Sequence, residues 1–130
     1  MSNHKNMSIL IVDDSHTMRN IAKKILVETG YTNIVEADTG RTAILALRER
    51  EIDLILLDWR MPEMNGLDTL KKIRTNPKWK DKVVVMITSV SENQEVIKAL
   101  KEGANDYIVK PFQKETFIFK FGRILQKHFN

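Results

Sequence analysis

At 130 residues the chain fits one domain around one core, and a chain of this size buries roughly two-thirds of its unfolded surface. Its 42% hydrophobic and 29% charged content is ordinary for a globular protein, and no apolar stretch approaches the ~20 residues of a membrane helix, so no membrane insertion is expected. The absence of cysteine excludes disulfides and thiolate metal sites, and the net charge of +4 comes without a dense Arg/Lys run interleaved with aromatics, which argues against nucleic acid. The polar start, Met1 to Met7, lacks the apolar middle of a signal peptide, so a cytoplasmic location is expected.

Ser8 to Val12 is a short apolar run that stops at Asp13. Met18, Ile21, Ile25 and Leu26 have helical spacing over residues 16–29, and Gly30 suits the end of that helix. Ile34 to Ala37 reads as a second strand, and Thr39 to Glu49 as a helix with Ala43, Ile44 and Leu47 on one face. Asp53 to Leu57 is apolar after its first residue and ends at Asp58. A loop with Pro62 and Gly66 leads into a helix over 66–75, stopped by Asn76 and Pro77. Val83 to Ile87 ends at Thr88, a helix over 92–102 closes at Gly103, and Asp106 to Val109 ends at Lys110 and Pro111. A last helix covers 113–127. Only the first seven and the last two or three residues read as loose ends. Three strands are continuous aliphatic runs, which indicates a parallel sheet buried on both faces, and the alternation of strand and helix gives a doubly wound α/β domain spanning 1–130.

Four of these strands stop at a reactive side chain: Asp13 and Asp14, then Asp58, Thr88 and Lys110. In an open parallel sheet the ligand crevice lies beyond the carboxyl ends of the strands, so these groups converge on one edge. Each has a plainer reading when taken alone. Asp13 and Asp14 suit helix capping, Asp58 a turn, Lys110 a solvated surface, and Thr88 a cap for the helix near Ser91, where Ser91 is itself the better cap. Their joint occurrence at four strand ends argues for chemistry. Three close carboxylates repel unless a cation offsets them, and a hard divalent ion beside a lysine and a hydroxyl makes a site for an anionic phosphoryl group.

At these residues the sequence resembles a two-component response-regulator receiver domain, close to the stand-alone chemotaxis (CheY-like) type. The matching stretches are Ile11-Val-Asp-Asp-Ser15, Leu57-Asp-Trp-Arg-Met-Pro-Glu-Met-Asn-Gly66, Met86-Ile-Thr-Ser89 and Gly103-Ala-Asn-Asp-Tyr-Ile-Val-Lys-Pro-Phe112. The resemblance implies a flavodoxin-like (βα)5 fold with strand order 2-1-3-4-5. It implies that Asp58 is the phosphoacceptor and that Asp14, Asp58 and the backbone carbonyl of Arg60 ligate Mg2+ (or Mn2+), with Asp13 acting through a metal-bound water. It further implies that Lys110 pairs with the phosphoryl oxygens, that Thr88 donates its hydroxyl to them, and that Tyr107 changes rotamer as Thr88 moves. The Lys110-Pro111 bond is expected to be cis. The resemblance also implies that a histidine kinase or phosphotransfer protein supplies the phosphoryl group. The output it implies is a changed surface on the fourth helix, fifth strand and fifth helix of a monomer, which meets a downstream protein.

Two positions depart from the chemotaxis type. Arg60 stands where a small polar residue is usual, and Val90 where an acid is common, so the acyl-phosphate lifetime is expected to differ from that type. Trp59 is a candidate fluorescent reporter of the site. The basic outward face of the last helix, with Lys114, Lys120, Arg123 and Lys127, is a candidate docking surface for an acidic partner; solvated helix faces are the plainer account of the same charge. Three rival readings fare less well. A phosphohydrolase of the haloacid-dehalogenase type needs a second carboxylate at position 60, and a nucleotide or flavin module needs a glycine-rich turn in place of Asp13-Asp14-Ser15-His16. A receiver-like adaptor that is never phosphorylated would not need the full set of strand-end groups.

Overall fold

The computed structural model describes residues 5–89 and 93–129. Among these residues five strands, β1 (Ser8–Val12), β2 (Asn33–Ala37), β3 (Leu54–Asp58), β4 (Val83–Thr88) and β5 (Asp106–Val109), alternate with five helices. The helices are α1 (His16–Glu28), α2 (Gly40–Glu49), α3 (Gly66–Thr75), α4 (Asn93–Lys101) and α5 (Lys114–Phe129). The strands form one sheet in the order β2-β1-β3-β4-β5 and every neighbouring pair is parallel, as the sequence reading expects.

The aliphatic runs divide by strand parity. Ile9, Ile11, Leu54, Leu56, Val83, Val85 and Ile87 meet α1 and α5 through Ala22, Ile25, Leu26, Phe117, Phe121, Ile124 and Leu125. Their neighbours Leu10, Val12, Ile55, Leu57, Val84 and Met86 meet α2, α3 and α4 through Ala43, Leu47, Leu67, Leu70, Ile73 and Ala99. A parallel strand covered on both faces needs an apolar residue at every position, which is why β3 and β4 do not alternate. Fully burying each of these side chains contributes about 1.5–3 kcal/mol.

The helix starts explain the turns above the sheet. Ser15 caps α1, its hydroxyl accepting from the Met18 amide at 3.2 Å, so Asp13 and Asp14 are not its caps. Thr39 caps α2 in a reciprocal box with Thr42, and Asn65 caps α3 through the Asp68 amide at 2.9 Å. Gly30 and Gly103 follow α1 and α4 with φ of 106° and 104°, a left-handed conformation open to glycine. Ser91, expected to cap the fourth helix, lies outside the described residues.

Three expectations need correction. Ile21, which shares the helical spacing of Met18, Ile25 and Leu26, is 40% exposed; Ala22 fills the buried place beside Ile25 and Leu26. The first seven residues are not all loose, because Met7 is buried and joins the α1/α5 core, while the Lys5 ammonium donates to the Thr29 carbonyl at the end of α1. At the other end α5 continues to Phe129, two residues beyond the expected stop, with Phe129 packed against the same core.

Candidate functional site: an acidic cluster at the strand ends

The chain reverses its direction of travel across the sheet between β1 and β3, and the crevice at that switch point is where such folds take ligands. Asp13 directly follows β1 and Asp58 is the last residue of β3. Asp13, Asp14 and Asp58 each bring a carboxylate oxygen to within 4.8 Å of the others. Asp13 and Asp58 are buried and Asp14 is exposed. The cluster is therefore open on one side and closed on the other.

Lys110, directly after β5, reaches across the end of β4 to this cluster. Its Nζ lies 3.0 Å from Asp58 Oδ1 and 3.2 Å from Asp13 Oδ2. The Lys110 amide donates to the Thr88 carbonyl at 2.7 Å, which fixes where the side chain starts. Thr88 itself is buried at the end of β4. Asp13 Oδ1 accepts from the Ser15 amide at 2.9 Å, and the Asp13 amide donates to the Ala37 carbonyl at 3.1 Å. The acidic elbow is thus tied to β2, to the start of α1 and to Lys110 together.

Electrostatics follow from this packing. The Asp58 carboxyl is pushed up from an ordinary 3.8 to about 6, chiefly by burial; the Lys110 hydrogen bond opposes the rise, and the Asp13 and Asp14 charges add to it. Burial pulls the Lys110 ammonium down, but its bonds and charge interactions with Asp58 and Asp13 outweigh this and hold it above its usual range. One ammonium does not neutralise three carboxylates. Hard oxygen donors carrying excess negative charge are the donor set that a divalent cation takes, and the cluster is compatible with one.

The loop after β3 turns back tightly on the end of that strand. The Trp59 amide donates to the Ile87 carbonyl at 2.9 Å, and the Gly66 amide returns to the Trp59 carbonyl at 2.9 Å. A Cβ on Gly66 would sit 2.2 Å from the Asp58 carbonyl oxygen, so α3 can begin this close to Asp58 only from a glycine. Trp59 is half-buried. The Arg60 side chain is 70% exposed and pairs with Glu95 of α4 at 3.8 Å. Val90 lies outside the described residues.

Tyr107 stands apart from the carboxylates. Its ring packs on the α2/α3/α4 side of the sheet, with Lys120 Nζ 4.5 Å above it. Thr88 and Tyr107 share strand parity with Met86 and Val84, whereas Asp13, Asp58 and Lys110 share that of the α1/α5 side. On α5, Phe117, Phe121, Ile124 and Leu125 are buried, and Lys120 pairs with Asp106 at 3.3 Å.

Sequence reasoning did not single out Arg19, Glu36 or Glu95. Arg19 donates to the Asp13 carbonyl at 2.7 Å and to Glu36 at 3.1 Å. A lone arginine on a helix carries no signal of this; only the meeting of α1 with the end of β2 reveals it. Glu95 likewise depends on how α4 approaches the loop after β3.

Comparison with known proteins agrees with this geometry. Residues 9–121 match the response regulator receiver domain family. The chain is 44% identical over 124 residues to chemotaxis protein CheY-3 of Vibrio cholerae, covering 95% of each, and 40% identical over 121 residues to chemotaxis protein CheY of Pseudomonas aeruginosa, covering 93% and 98%. The solved structure of the chemotaxis response regulator CheY4 of Vibrio cholerae superposes with a TM-score of 0.86 at 29% identity, over 92% of this chain and 99% of that one. No helix among the described residues is long and apolar enough to cross a membrane. By family match, relatives and fold alike, the chain belongs to the response regulator receiver domain family, whose members are phosphorylation-dependent signalling switches rather than metabolic enzymes.

Proposed function

We propose that Asp58 is the phosphoacceptor of a stand-alone, CheY-like receiver that works in a chemotaxis or related two-component pathway in the cytoplasm. The observation that carries this reading is Lys110 Nζ, 3.0 Å from a buried Asp58 that Asp13 and Asp14 crowd to within 4.8 Å. Asp14, Asp58 and the Arg60 carbonyl would hold Mg2+ or Mn2+, with Asp13 acting through a bound water. When bound, the cation supplies the positive charge that lets an anionic donor approach three carboxylates.

The chain's own residues do the rest. An Asp58 carboxylate oxygen attacks the phosphorus of a phosphohistidine on a histidine kinase or phosphotransfer protein; a P–O bond forms and the P–N bond to the imidazole breaks. Lys110 screens charge on the transferring oxygens, and its shared hold on Asp13 keeps it in place. The same groups assist attack by water, so the chain promotes both its own phosphorylation and its dephosphorylation. Thr88 ends β4 on the parity of Tyr107 and of the α4 side of the sheet. A dianion on Asp58 draws Thr88 and Lys110 inward, Tyr107 repacks, and the surface of α4, β5 and α5 changes for a downstream protein.

Transfer of label from a phosphohistidine donor to wild type but not to Asp58→Asn is expected. Equal labelling of both would overturn the assignment.

A further inference from the structure

We propose that Arg19, held in place by Glu36, is a positioning residue for the cation site: it orients the peptide that joins Asp13 to Asp14. The proposal rests on the reading above, in which that acidic cluster holds Mg2+.

Arg19 lies one helical turn into α1, its amide donating to the carbonyl of the capping Ser15 at 3.0 Å. Its side chain folds back toward the sheet and is only 14% exposed. Nη1 donates to the Asp13 carbonyl at 2.7 Å, and Nε donates to Glu36 Oε1 at 3.1 Å. Glu36 is on the edge strand β2, opposite Ile11 in register, and its second oxygen meets Lys23 Nζ at 3.3 Å. Burial raises the Glu36 carboxyl, but Arg19 and Lys23 outweigh it and hold the carboxyl below its usual range, which keeps it charged as an anchor.

The carbonyl that Arg19 grips belongs to the planar Asp13–Asp14 peptide. Fixing that plane fixes the Cα atoms at both its ends, and so the directions in which both carboxylates leave the backbone. Asp13 is held at its amide by Ala37 and at its carboxylate by Ser15 and Lys110. None of those bonds reaches the Asp13 carbonyl oxygen, which is the atom that Arg19 holds. The guanidinium fork is suited to hold it, because its planar donors serve Asp13 and Glu36 in one rigid geometry that an ammonium cannot reproduce. A charged pair between α1 and the edge strand β2 thereby sets the geometry of a site at the middle of the sheet.

A simple charge effect predicts the opposite sign. Arg19 is a cation beside a cation site, so by Coulomb repulsion alone its removal would tighten metal binding. As a positioning residue its removal weakens binding, as loss of partners that orient metal ligands generally does, by about 10–100-fold.

The test is calorimetric titration of the full chain with MgCl2, well below the unfolding temperature of each variant. Arg19→Gln and the charge-conserving Arg19→Lys are both expected to weaken Mg2+ binding about tenfold or more, and Glu36→Gln to weaken it less. Thermal unfolding in EDTA separates lost affinity from lost stability, and Arg19→Lys carries the test where Arg19→Gln does not fold. Wild-type affinity in Arg19→Lys, or tighter binding by Arg19→Gln, would overturn the proposal while leaving the metal site intact. Absence of Mg2+ binding by wild type would overturn the metal reading and this proposal with it.

Discussion

Lys110 stands 3.0 Å from Asp58 and 3.2 Å from Asp13, so one ammonium is shared between two buried carboxylates. Removing one partner of a buried pair leaves charge without compensation and typically costs 3–5 kcal/mol, and the 16% exposure of the Lys110 side chain places this case at the lower end. Lys110→Met is expected to lower the stability of the metal-free protein by about 3 kcal/mol at neutral pH. Urea unfolding in EDTA measures it; a loss under about 1 kcal/mol would mean that water screens the pair.

The raised Asp58 carboxyl gives stability a pH dependence of definite sign. With a folded value of about 6 and an ordinary value of 3.8, the folded state binds the proton more tightly than the unfolded chain. Stability of the metal-free protein therefore falls as pH rises through the window from about 4 to about 6, by at most about 3 kcal/mol from this group. Asp58→Asn removes the titrating group and is expected to be the more stable protein at pH 7. Unfolding curves at pH 4.5 and 7, compared between the two proteins, check it; a variant less stable than wild type at pH 7 would contradict the burial argument.

A cation bound in the cluster would reverse that penalty. A ligand that binds only the folded state stabilises it by about 2.7 kcal/mol at one hundred times its Kd. Adding Mg2+ is expected to raise the Tm of wild type, with little rise for Asp14→Asn or Asp58→Asn. Because the ligand carboxylate must be charged, the apparent affinity is expected to fall as pH drops through about 6. Scanning calorimetry with and without EDTA at pH 5 and 7.5 tests both statements.

Gly66 lets α3 begin against the backbone of Asp58. A methyl group there would fall 2.2 Å from the Asp58 carbonyl oxygen and 2.9 Å from the Trp59 Cα, where neither neighbour is a flexible side-chain end. Overpacking of this kind costs about 1–3 kcal/mol, and Gly66→Ala is expected near the top of that range. Because the strain falls on Asp58 itself, Mg2+ affinity should drop as well; an unchanged affinity would show that the loop yields without moving the carboxylate.

Much of this is legible in the amino-acid sequence. The stretches 9–12, 54–57 and 83–87, which lead to Asp13, Asp58 and Thr88, are apolar at every position because β1, β3 and β4 are buried on both faces, and that pattern alone implies a parallel sheet whose strand ends converge. The resemblance then supplied strand order and roles. Less visible were features that depend on how a helix is rotated against the sheet. Ile21 and Ala22 both fit a helical stripe, and only packing exposes the larger residue. Asp13 and Asp14 look like helix caps until Ser15 takes that task and leaves both acids for the cluster. Arg19 and Glu36 are 17 positions apart on different elements, and no local pattern joins them.

The central claim is that Asp58, among the three clustered carboxylates, takes up a phosphoryl group. Intact-mass measurement after incubation with acetyl phosphate and Mg2+ tests it most directly, with Asp58→Asn treated in parallel. Wild type is expected to gain the mass of one phosphoryl group, to lose that gain when Mg2+ is replaced by EDTA, and the variant to gain nothing. No adduct on wild type, or an equal adduct on Asp58→Asn, would contradict the account.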